Sequence, residues 1–300
     1  MNWKNVVFGI IILLIAVVCS GCIEETTRTQ ETKNFNEQLP QINESFGISL
    51  ANIYIYINNY DYYYRWSLLI NLDFITESLI NDMQNFENNI KVTVSYIENT
   101  SIEYYQLKND ANLNQITDSD IERINDIEAK ILDYYENVDN ISSALDGIAR
   151  YSEFWNLTRV KQILLEDYRT ILDLMNQKIQ NEEFEDSLQY PEQLIQLCNK
   201  LKTNGEQKND LNIITYDEDI LNIWNIYIEA WELYEEYLNL LVEGRYDSAK
   251  SKYTDYSQKN NEALEIEATQ NLNEFNNQIE YWYQKNIGEY LDLFEGYYLV

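Results

Sequence analysis

Residues 121–150 read IERINDIEAK ILDYYENVDN ISSALDGIAR. Ile124, Ile127, Ile131, Tyr134, Val138, Ile141, Leu145 and Ile148 recur there in alternating steps of three and four. Such steps keep apolar side chains on one face of a helix, and their strict alternation is a heptad seam of the kind that pairs helices. A strand would show apolar residues at every second position. Composition points the same way. Only 8 Gly and 2 Pro occur in 300 residues, with neither between Gly47 and Gly147, and strands need the frequent turns those residues make. The expected fold class is all-α: an elongated multi-helix bundle with long heptad- and hendecad-patterned helices.

Upstream, Leu72, Ile75, Leu79, Met83, Phe86, Ile90, Val94 and Ile97 predict a helix running to about Lys108. Their 3-4-4 spacing suits nearly straight pairing. Asp110 to Ile116 reads as a loop, and Ser119 with Glu122 has the spacing of a capping box. Ile48 to Tyr60 is open between strand and helix, because Ile53, Ile55 and Ile57 alternate with Tyr54, Tyr56 and Asn58.

Downstream, Val160, Leu164, Tyr168, Ile171, Met175 and Ile179 mark a further helix after an uneven junction near residues 150–160. Tyr190 and Pro191 open a short helix, which Asn204 and Gly205 close. Within it Leu194, Leu197, Cys198 and Leu201 form one apolar face, so Cys198 reads as a buried structural thiol. Ile220 to Leu241 carries two adjacent apolar tracks, the mark of a helix buried over a wide arc at the centre of the fold. Gly244 ends it. A last helix then runs from Tyr246 through Leu264, Phe275, Ile279 and Trp282 towards Tyr290.

The amino terminus carries a different signal. Lys4 precedes an apolar run from Val6 to Val18, then Cys19, Ser20, Gly21 and Cys22, and acidic sequence starts at Glu24. This resembles the signal peptide and lipobox of secreted prokaryotic lipoproteins of the archaeal type, in which small residues precede an invariant Cys. Cys19 departs from that pattern, standing where Leu is commonest. The resemblance implies removal of residues 1–21, lipid on Cys22, and a chain held at the outer face of the cell membrane. Each buried lipid methylene adds about 0.8 kcal/mol, so two chains hold firmly where one does not. The alternative is an uncleaved single transmembrane anchor, for which Val6 to Ile23 is just long enough. Residues 22–47, rich in Thr, Glu, Asn and Gln, read as a flexible acidic tether. Residues 48–300 read as the helical ectodomain, with possible sub-bundles at 48–155 and 156–300.

Charge and composition narrow the functions. The 51 acidic residues outweigh 21 basic ones, a net charge of −30 that repels phosphate backbones and excludes nucleic acid as a partner. Aromatic residues make up 14% of the chain, which separates it from disordered acidic tails. The chain has no His, so Ser-His and Cys-His nucleophilic sites and Glu-x-x-His metal pairs are ruled out. Two acidic clusters, Glu182, Glu183, Glu185 and Asp186, then Asp217, Glu218 and Asp219, lack the turned Gly-containing loop of a calcium site. No metal or other cofactor is expected.

A glycoside hydrolase needs only two carboxylates, and Tyr60, Tyr62, Tyr63, Tyr64 and Trp66 would suit sugar stacking, but helix packing explains the same residues. Asn43, Asn99, Asn140 and Asn156 stand in Asn-x-Ser/Thr sequons that accept glycans outside the cytoplasm. Gly244, Tyr246, Ala249 and Tyr253 resemble the second-helix entry of a tetratricopeptide repeat over about ten residues, with no second copy at the repeat spacing. The expected protein is a non-catalytic, lipid-anchored binding or scaffold protein of the cell envelope, with an envelope protein as partner. The alternative is a solute-binding or sensory ectodomain acting with a membrane partner.

Overall fold

Helix follows helix along the chain: α1 (Trp3–Leu69), α2 (Glu77–Asp110), α3 (Asp118–Gln180), α4 (Phe184–Ser187), α5 (Gln189–Asp210), α6 (Glu218–Val242), α7 (Tyr246–Thr269) and α8 (Leu272–Tyr283), then a π-helical turn (Gln284–Gly288). The computed structural model describes residues 3–69, 77–111, 116–270 and 272–290, with side chains over 29–62, 77–111, 116–270 and 274–290. Among the described residues there is no strand, and the fold is all-α. The chain divides into two compact units, 1–59 with 86–143 and 290–300, and 60–85 with 144–289. This division differs from a cut at residue 155, because α3 runs unbroken through 150–160.

In the first unit, residues 29–47 are helical, not a flexible tether. Phe35, Leu39, Ile42 and Phe46 are buried, and the same face continues through Leu50, Ile53 and Ile57. Steps of three and four therefore decide Ile48 to Tyr60 as helix, leaving Ile55 exposed. The series persists across Pro40, which interrupts helical hydrogen bonding at about 3 kcal/mol. The burial on either side offsets that cost. Ile90, Ile97 and Tyr104 of α2 and Ile127, Ile131, Tyr134 and Ile141 of α3 complete this core.

Polar groups in the first unit are paired at its margins. The Lys130 ammonium donates to Asn43 Oδ1 and Asp126 Oδ2, each at 2.9 Å, and Asn43 Nδ2 donates to the same carboxylate at 2.8 Å. The Lys130 bond holds the Asp126 carboxyl below its usual range. The start of α3 is capped by Thr117 rather than by a Ser119–Glu122 box: Thr117 Oγ1 accepts from the Asp120 amide at 3.2 Å and donates to Asp120 Oδ2 at 2.6 Å.

The second unit is built around α6, against which α4, α5 and α7 pack. Trp224, Tyr227, Trp231, Tyr234 and Leu238 of α6 share one core with Met175, Leu194, Cys198, Leu201 and Ala263. Trp231 Nε1 donates to the Tyr168 hydroxyl at 3.0 Å, which lets a large indole be buried without an orphaned donor. Gly244, at φ +75°, makes the turn from α6 to α7. Of the residues that resemble a tetratricopeptide-repeat helix entry, Tyr246 is 70% exposed and Ala249 is buried. The last helix is not continuous, because Gln270 is extended and separates α7 from α8. Nor does α5 stop at Asn204 and Gly205; it runs on for about one and a half turns to Asp210.

Candidate functional site

Continuation of α5 past Gly205 creates the site. Leu194, Leu197, Leu201, Asn204 and Lys208 follow one another at helical steps, so the apolar face of α5 ends in an amide and an ammonium. Leu201, Asn204 and Lys208, together with Lys161 of α3, Tyr216 of the α5–α6 connection, Trp224 of α6 and Glu267 of α7, line a cavity of about 300 Å³. That volume is at the small end of ligand pockets.

Lys208 is 3% exposed. Its ammonium lies 4.4 Å from the ring centre of Phe154 and 5.7 Å from that of Phe275. Among the described residues it makes no ion pair and no hydrogen bond. Burial pushes its pKa well below the usual range for lysine, and the charge of Lys161 pushes it the same way. Burial also lowers Lys161, against an opposing pull from the Glu267 carboxylate. Tyr216 and Tyr227 are both raised, the first by burial and the second by burial and the neighbouring Glu267.

Asn204, also 3% exposed, donates through Nδ2 to the Leu157 carbonyl at 2.9 Å, and its Oδ1 is buried without a partner. The cavity thus brings together two amines that repel each other, one carboxylate, Glu267, and the aromatic side chains of Tyr216 and Trp224. Chemically it suits an anionic group beside an apolar body. The acidic chain has only 21 basic residues, and two of them are spent on this cavity.

The residues singled out in the sequence lie elsewhere. The side chains of Cys19, Ser20, Gly21 and Cys22 fall outside the described residues, as do those of Tyr63, Tyr64 and Trp66. Among the residues whose side chains are described, no helix is long and apolar enough to cross a membrane; Val6 to Ile23 lies outside them. Cys198 is fully buried, and burial pushes its thiol up to about 12. Of the sequons, Asn99 is exposed, while Asn43, Asn140 and Asn156 are partly buried. Asn43 is also engaged with Lys130 and Asp126. Glu183 and Asp186 pair with Lys178, and among the described residues no group of three acidic or cysteine side chains is placed to hold a metal ion.

The comparisons add no relative: no family model, no curated protein and no solved structure matches this chain.

Proposed function

We propose that this is a non-catalytic, extracytoplasmic binding protein, lipid-anchored through Cys22, whose second unit takes a small anionic solute in the cavity between Lys161 and Lys208. Of the two readings left by the sequence, this is the solute-binding or sensory one. The observation that carries it is Lys208: an ammonium buried without a carboxylate beside a second lysine. Burying a charge costs several kcal/mol unless something neutralises it. A carboxylate or phosphate would pair with both amines and remove their mutual repulsion. Leu201, Ile223 and Trp224 supply an apolar surface for the rest of the ligand. Signal output would fall to a membrane partner.

The test is a thermal-shift and calorimetric screen of the detergent-solubilised full chain against small carboxylates, inorganic phosphate and neutral analogues. A ligand at a hundred times its dissociation constant adds about 2.7 kcal/mol. Acids should stabilise the chain and the matching amides should not, and Lys208→Met should abolish the effect. Indifference to every acid in the screen would overturn the proposal. Intact-mass analysis of the native protein tests the anchor: lipid on Cys22 is expected, and an intact Met1 overturns it.

A further inference from the structure

Lys208 meets the conditions that make an amine reactive. Its side chain is 3% exposed, and Nζ faces the rings of Phe154 and Phe275 with no ion pair among the described residues. An ammonium in such a place tends to give up its proton, because the interior penalises the charged form and spares the neutral one. Lys161, a second cation on the same cavity, presses the same way. The carboxylate on the cavity wall, Glu267, acts on Lys161 and Tyr227 and leaves Lys208 uncompensated. Tyr216, also on the wall, is held in its neutral form by burial. Desolvation and a neighbouring cation are the two devices that turn a lysine into a nucleophile. Access is the third requirement. Asn204 Oδ1, one turn away, is completely covered. Lys208 Nζ likewise makes no hydrogen bond but is not fully covered, so it keeps surface in the cavity that its side chain lines.

We propose that Lys208 captures a small carbonyl compound as an imine, and that this compound is an oxo acid whose carboxylate rests against Lys161. The choice of an acid rests on the anion-binding reading above; the imine itself does not. The lone pair of the neutral amine attacks the carbonyl carbon, a C–N bond forms, and the C=O π pair moves to oxygen. Both amine protons then leave with that oxygen as one water, and a C=N double bond remains. Water reverses the step, so capture consumes no oxidant or reductant and is a form of reversible binding. Leu201, Ile223 and Trp224 give the ligand's carbon chain an apolar wall, and a cavity of about 300 Å³ limits it to a small molecule.

The experiment is reductive trapping on the full chain at pH 7. Pyruvate is added with cyanoborohydride, which reduces an imine to a stable secondary amine, and the labelled lysines are mapped by mass spectrometry. An ordinary exposed lysine is neutral to only about one part in 2,500 at this pH. The label should therefore collect on Lys208, roughly tenfold or more above the exposed Lys200 and Lys250, and unfolding in urea should erase the preference. Butanone, a methyl ketone without the acid, should label the same lysine. Lys161→Gln should lower the pyruvate-to-butanone labelling ratio at Lys208 by about tenfold, as loss of a charged partner implies. Label on the exposed lysines or on Lys161 with Lys208 spared, or no label at all, overturns the imine and leaves the anion site standing. Trapping at Lys208 with a ratio that ignores Lys161→Gln overturns the oxo-acid assignment and counts against the anion reading, while the imine stands.

Discussion

Replacing Lys208 by Met should make this protein more stable. The side chain is 3% exposed and its ammonium sits over Phe154 and Phe275 without a counter-charge. Desolvating an ammonium costs several kcal/mol after relaxation. The contact with the phenyl rings returns about 2 kcal/mol, and repulsion from Lys161 adds to the deficit. Met spans nearly the same length and keeps a favourable sulfur–aromatic contact of about 0.3–1.5 kcal/mol. The net expectation is a gain of roughly 1–4 kcal/mol at neutral pH, as when other buried ionic groups give way to apolar ones.

The assay for this variant is a urea melt followed by tryptophan fluorescence. Trp155, Trp224, Trp231 and Trp282 all belong to the second unit, so the signal follows the relevant transition. The pH dependence has a definite sign. Folding lowers the Lys208 pKa below its ordinary 10.5, so within that window the unfolded chain holds a proton the folded chain lacks. Wild-type stability then climbs with pH by about 1.4 kcal/mol per unit. The gap between variant and wild type is full below the folded pKa, narrows through the window, and closes near the ordinary lysine value. Taking the difference between the two proteins cancels the many raised tyrosines. Within the cavity, Lys161, itself lowered by burial, titrates in both proteins and shifts the window without inverting it. A variant less stable than wild type at neutral pH, or a gap indifferent to pH, refutes the reasoning.

Other substitutions probe the surrounding packing. Trp231→Ala should cost roughly 3–5 kcal/mol in the same melt; a loss under about 1 kcal/mol would remove this residue from the core. Gly147→Ala should destabilise by roughly 1–3 kcal/mol, because a Cβ there lies 2.6 Å from the Asn286 carbonyl oxygen and backbone has no rotamer to yield. Gly205→Ala should do the opposite, gaining about 0.5–1 kcal/mol from helix propensity, since no neighbouring atom lies within 4 Å of the new Cβ. Cys198, with its thiol pushed up to about 12, should ignore a disulfide reagent in the folded protein and react at once in denaturant; reaction at native rates would place it at the surface.

Much of the fold was legible because helical periodicity survives without knowledge of partners. Ile127, Ile131, Tyr134, Ile141 and Ile148 are buried as their spacing implies, and α6 lies in the middle of its core with Trp231 inside it. Local residue preferences mark element boundaries less well, because tertiary packing overrides them. Pro40 and the polar run around it suggested a tether, yet Phe35, Leu39, Ile42 and Phe46 hold that segment helical by burial. Asn204 and Gly205 carry the signature of a helix end, yet α5 continues, because tertiary contacts outweigh a Gly cost of about 1 kcal/mol. That single misreading hid the site. With α5 ended at Gly205, Lys208 reads as a loop lysine; with α5 extended, it occupies the next position of the Leu194, Leu197, Leu201 face. A lysine continuing an apolar stripe was the available signal.

The lysines are hard to explain as structure. A chain at net charge −30 gains most from its few cations when they pair with carboxylates, as Lys130, Lys252 and Lys259 do. Lys208 forgoes such a partner, lies buried, and adds repulsion with Lys161. Asn204 beside it adds an unpaired acceptor. The first two losses share a remedy under the function proposed above, an anionic group bound between the two amines. Proteins commonly carry such local destabilisation where activity requires it. On that proposal stability is tied to occupancy: Lys208→Met, which should stabilise the free chain, is the substitution expected to abolish anion binding.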